Sequence, residues 1–170
     1  MSLVYDATPV REPAVWPPGF RFTWTDRLCD LDIEARQRLV QGGGQRLLAD
    51  LDADDALYVV WADERPASWG AAPRGGRQAA VLGLPSGSRM IGLCETHPAF
   101  RGLGLYLQAL RASVQRLREA GEQHIYIEVL EANAASIRGI ERAGFASLGR
   151  MDARIYFDLL VLRNGRIGRL

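Results

Sequence analysis

The chain has 170 residues, enough for one domain that buries roughly 70% of its unfolded surface, so no second domain is required. With 48% hydrophobic and 24% charged residues it has the composition of a globular protein in water, and a formal charge of +1 argues against a nucleic-acid or membrane partner held by net charge. No apolar run approaches the roughly 20 residues that span a bilayer, and the N-terminus lacks a signal-peptide core, so a cytoplasmic location is expected.

In chain order, residues 1–19 carry Pro9, Pro13, Pro17 and Pro18 without any period and read as an extended or partly disordered arm, which leaves residues 20–170 as the domain. Phe20 to Trp24 alternates apolar and polar, as a half-buried strand does. Asp30 or Asp32 can cap a helix running through Val40 with Ile33, Leu39 and Val40 as its apolar residues. Gly42-Gly43-Gly44 then separates it from a second helix, Gln45 to Leu51. The run Asp50, Asp52, Asp54, Asp55 has the alternation of a calcium loop, but Asp55 stands where glycine is needed and Trp61 where the bidentate glutamate is needed, so it reads as a solvated turn. Cys29 and Cys94 are far apart and lack histidines at metal spacing, so neither a disulfide framework nor a metal site is expected.

Leu57 to Ala62 and Ala67 to Ala72 read as a hairpin about Asp63-Glu64-Arg65-Pro66, and Gln78 to Leu84 as a further piece of sheet. Met90 to Cys94 is the central strand. Pro98 ends it, Arg101-Gly102-Leu103-Gly104 makes a turn, and Leu103, Leu107, Leu110, Val114 and Leu117 then recur on one helical face until Gly121. Gly102 and Gly104 let backbone amides approach a bulky anion at the positive end of that helix. A dinucleotide fingerprint would need glycine at Leu107 and a P-loop would need a lysine, which the chain lacks altogether. A strand from Glu122 to Leu130 should lie parallel to the first, Asn133 can cap a helix from Ala134 to Ala143, and Ala146 to Arg150 and Arg154 to Leu162 supply two last strands.

The combination HPAFRGLGLY followed by IEVLEANAASIRGIERAGF, spanning about Met90 to Phe145, resembles the GNAT superfamily of N-acetyltransferases. The resemblance implies a mixed α/β fold, mostly antiparallel, with two splayed parallel central strands flanked by helices. It implies acetyl-CoA as cosubstrate, without a metal, held by Cys94 and Thr96 of the strand, by Arg101, Gly102, Leu103, Gly104, Leu105 and Tyr106 of the turn, and by Asn133 and Ser136. Tyr106 departs from the family, since Gly or Ala is commonest there, and Ile140 occupies the place where many members carry an acidic tyrosine. Glu95 is the first candidate for general base and Glu128 the second, while Tyr106, Tyr126 or Tyr156 can substitute as acid, Tyr106 being nearest. The acceptor implied is a primary amine of a small molecule or a protein, acetylated by direct transfer, and a CoA-binding module without turnover is the alternative. The last strand is long and apolar, so a homodimer and a monomer both remain open.

Overall fold

The computed structural model describes residues 2–7, 12–156 and 160–164. Its strands are β1 (Ser2–Ala7), β2 (Phe20–Thr25), β3 (Ala56–Ala62), β4 (Arg65–Ala72), β5 (Arg89–Thr96), β6 (Ile125–Leu130), β7 (Phe145–Tyr156) and β8 (Leu160–Asn164). The helices are α1 (Ile33–Gln41), α2 (Gln45–Asp50), α3 (Gly76–Leu82), α4 (Leu105–Glu119) and α5 (Ala134–Arg142). The strands form one eight-stranded sheet in the order β2-β3-β4-β5-β6-β1-β7-β8, in which β5 and β6 run parallel and the other neighbours antiparallel.

Helices cover both faces of this sheet, which is why every residue of β3 is buried and not merely every second one. On one face Leu39 of α1 and Leu47 of α2 pack with Leu57, Val59, Trp61 and Trp69. On the other, Leu105 and Ala109 of α4 meet Tyr58 and Val60, and Leu110, Val114 and Leu117 meet Ile91, Ile125 and Ile127. Each such side chain contributes about 1.5–3 kcal/mol by leaving water.

Four expectations are corrected. Ser2–Ala7 is no arm but a strand paired on both sides, with β6 and with β7, and Val4, Tyr5 and Ala7 are buried. The prolines that suggested an arm lie after it; from residue 12 the chain crosses the outer surface of α4, where Glu12 pairs with Arg111 at 2.6 Å and Val15 N–H donates to Gln108 Oε1 at 2.8 Å. The stretch read as sheet from Gln78 to Leu84 is helix α3 up to Leu82: Ala79 and Leu82, three apart, are its buried residues, and Gly83 closes it with φ of 69°. Ile33 and Val40 are exposed on α1, where Leu39 is buried. The two last strands are not divided at Met151–Ala153; β7 runs unbroken to Tyr156, and residues 157–159 of the second expected strand lie outside the described residues. Asp32 is the cap of α1, accepting from the amides of Glu34 and Ala35 at 2.9 and 3.1 Å.

Candidate active site

The parallel pair is short. β5 and β6 are paired at Arg89–Ile125, Met90–Tyr126 and Ile91–Ile127, after which β5 continues to Thr96 and β6 to Leu130 without further pairing. A bulge in β5 accompanies the parting: Trp69 faces Glu95 but Ala71 faces Gly92, and Leu93 takes φ of 52°, in the left-handed region that a branched side chain rarely adopts. Backbone groups from Gly92 to Thr96 therefore have β4 on one side and an open wedge on the other. Ser68 Oγ anchors the end of the strand, donating to Glu95 O at 2.8 Å and meeting Thr96 Oγ1 at 3.0 Å.

The wedge opens into a cavity of about 660 Å³. Cys94, Glu95, Thr96, Arg101, Gly102, Gly104, Leu105, Tyr106, Asn133 and Ser136 all line it, so ten of the eleven site residues expected from sequence come together, while Leu103 lies outside with its side chain half exposed. Gly102 and Gly104 have φ of 81° and 76°, and a Cβ added at either would meet nothing within 4 Å. The turn thus presents bare backbone to open space at the start of α4, whose first-turn amides have no partner within the helix. Arg101 folds back so that its Nε donates to Thr96 O at 3.1 Å. Arg138 and Arg142 of α5 also line the cavity, giving it three guanidinium groups beside the free amides.

Asn133 caps α5, accepting from Ser136 N–H at 3.1 Å, as an N-cap does. Tyr106 crosses from α4 to α5 and lies against Gly139, where an added Cβ would be 2.7 Å from its Cδ1. Burial, followed by the nearby Cys94, raises its pKa above the ordinary value. Arg138, Gly139 and Arg142 are site residues that sequence reasoning missed; the signal for Gly139 was a glycine inside a helix, where it costs about 1 kcal/mol relative to Ala and so implies a close neighbour. Ile140 is fully buried in the core that also receives Leu110, Ile91 and Ile127.

Cys94 Sγ donates to Gly92 O at 3.4 Å, and burial pushes its pKa up to about 11, which makes it a neutral, unreactive wall of the cavity. Behind it the Tyr58 ring passes over Gly70; its hydroxyl is buried without a hydrogen-bond partner, and burial, with Cys94 beside it, raises the phenol pKa well above normal. Glu95 is exposed on the opposite face of β5, across from Trp69, and its carboxylate makes no ion pair among the described residues. The second base candidate is placed elsewhere: Glu128 Oε2 accepts from Gln78 Nε2 at 2.7 Å and does not line the cavity. Among the described residues no group of His, Cys, Asp and Glu is arranged to hold a metal, and no helix is long and apolar enough to cross a membrane.

The bare glycine turn, unpartnered helix amides and arginines fit the pyrophosphate of a coenzyme A thioester, and the wedge beside β5 fits its extended arm. A streptothricin acetyltransferase of Streptomyces lavendulae is 36% identical over 62 residues, which is 36% of this chain and 32% of that protein. A GCN5-related N-acetyltransferase from Sphaerobacter thermophilus superposes with a TM-score of 0.58 at 19% identity, covering 86% of this chain and 48% of that one. The aminoglycoside N-acetyltransferase AAC(6')-Iy, in complex with CoA, gives 0.56 at 20% identity, covering 81% of this chain and 97% of that one. The chain therefore spans about a third of the curated relative and about half of the Sphaerobacter protein. Residues 18–145 match the sequence model of the Acetyltransferase (GNAT) family, and with the splayed strands and the glycine turn this establishes that the chain belongs to that family.

Proposed function

We propose that the protein transfers an acetyl group from acetyl-CoA to a primary amine of a small molecule, by direct attack in a ternary complex. The observation that carries this reading is the parting of β5 from β6 after Ile91–Ile127, which leaves a groove running from the glycine turn to Glu95. Acetyl-CoA supplies the activated acetyl group. The amides at Gly102 to Tyr106 and the guanidinium groups of Arg101, Arg138 and Arg142 hold its phosphates, and main-chain amides on the open side of β5 polarise the carbonyl. An alkylamine is over 99.9% protonated near pH 7 on a pKa of about 10.4, so the Glu95 carboxylate, without a competing ion pair, takes that proton directly or through water. On the far side of the groove Tyr106, which lines the cavity, donates its phenolic proton to the departing sulfur. It stands in for the tyrosine that Ile140 replaces, and Gly139 makes room for it. A small-molecule acceptor is favoured because the relatives' names specify streptothricin and aminoglycosides.

The burial of Ile140 favours one other reading, a CoA-binding module that does not turn over. Both are tested by calorimetric titration of acetyl-CoA into the wild type and Gly104→Glu, followed by thiol release with an amine panel. Binding that weakens more than about tenfold in the variant, together with amine-dependent release, supports the enzyme. Binding without release with any amine selects the module, and absence of binding to wild type defeats both.

A further inference from the structure

A second cavity, of about 300 Å³, lies on the α1 face of the sheet, between the C-terminus of α1, the β3–β4 turn and the segment after β5. Arg38, Gln41, Glu64, Arg65, His97 and Phe100 form it, and Phe100 borders the larger cavity as well. Its charges are unevenly committed. Arg38 is paired with both Glu34 and Glu64, which uses the pocket's one carboxylate. Arg65 has no carboxylate partner among the described residues; its guanidinium sits 5.4 Å over the Phe100 ring, a contact that fixes its position without neutralising its charge. His97 packs against the same ring, at 5.7 Å between centroids, and its Nδ1 accepts from Ala99 N–H at 3.3 Å, so the neutral imidazole carries its proton on Nε2. The free cationic and N–H groups of this pocket are thus donors, a guanidinium and an imidazole N–H, and the Gln41 amide can turn its NH2 toward the same space.

Glu95 and His97 are two residues apart along extended chain and share the α1 face, which puts their Cα atoms about 7 Å apart. We propose that this pocket receives a carboxylate of the acceptor, so that the substrate is an amine bearing an acid about 7 Å from its nitrogen, the span of an ω-amino acid of about five or six carbons. The pocket selects against a diamine, whose second ammonium would face Arg65. This rests on the acetyl-transfer reading above and adds the acceptor's chemistry to it.

The test compares δ-aminovalerate, pentylamine and cadaverine as acceptors for the full chain, after acetyl-CoA binding has been measured by calorimetry. Wild type should show a kcat/KM for δ-aminovalerate at least about tenfold above those of pentylamine and cadaverine, expressed mainly in KM. In Arg65→Gln that ratio should fall towards one, and in Arg65→Lys, which keeps the charge, it should be largely retained. Equal or better use of pentylamine or cadaverine by the wild type overturns the proposal, as does a ratio that Arg65→Gln leaves unchanged, and either result leaves acetyl transfer itself standing. Failure of acetyl-CoA to bind overturns the underlying reading and this one with it.

Discussion

A methyl group at Gly139 would stand 2.7 Å from Tyr106 Cδ1, closer than carbon atoms approach, so Gly139→Ala must move the ring or part the two helices. We expect this substitution to cost about 1–3 kcal/mol in urea denaturation and to lower kcat, whereas Tyr106→Phe, which keeps the ring, should lower kcat and leave both stability and acetyl-CoA affinity nearly unchanged. An unchanged kcat in Tyr106→Phe would make Tyr106 a packing residue only. Glu95→Gln should lower kcat by about 10²–10⁴ while leaving acetyl-CoA affinity nearly intact, measured by thiol release at saturating acetyl-CoA and by calorimetry. Cys94 allows a prediction of opposite sign from a carboxylate. Its folded pKa of about 11 lies above the unfolded value of 9.0, so the stability linked to it is intact below pH 9 and is lost as pH rises towards 11. Tyr58 and Tyr106, also raised, act in the same direction at higher pH, so the comparison that isolates Cys94 is the urea midpoint of wild type against Cys94→Ser, whose decline should be smaller. Most of these residues were legible in the sequence because they sit in one contiguous motif. Gly139 was not, since its reason is a ring 33 positions earlier and neither residue's neighbours record that contact.

At the scale of elements, periodicity and capping located α1, α4 and α5 and the strands β2 to β6, because each carries its own pattern and its own stop. Two elements escaped for different reasons. In α3 Ala79 and Leu82 are the residues described as fully buried, too few to set a period over seven residues. β1 is six residues long and gains its stability from partners that follow more than a hundred positions later, which no local pattern can announce. The splay of β5 and β6 was implied by family resemblance and not by any residue pattern; in the structure it coincides with the bulge at Leu93. Leu93→Gly should relieve the left-handed strain there while keeping the wedge, so we expect melting to rise or hold while acetyl-CoA affinity is preserved. A loss of affinity would mean that the Leu93 side chain, and not the backbone course, shapes the groove.

For the whole molecule, the slot between β6 and β7 at the C-terminal end of the sheet is filled by the first strand of the chain. Residues 12–19 make the return journey across α4 to β2, where Trp16 stacks on Phe22 at 5.4 Å. Strand β1 is therefore the keystone between β6 and β7. During synthesis Val4 and Tyr5 must wait until residues 125–151 exist before they can leave water. Closing a loop of about 120 residues costs about 4 kcal/mol of chain entropy, so β1 pairing should be a late event in folding. We expect Val4→Ala, destabilising by about 2 kcal/mol, to accelerate unfolding about 30-fold and to leave the refolding rate almost unchanged in stopped-flow experiments. A refolding rate that falls in step would place β1 in the nucleus. Until that strand docks, β6 and β7 each present an open hydrogen-bonding edge, and in a crowded solution of nascent chains Ser2–Ala7 of one molecule is equally able to enter the vacant slot of another.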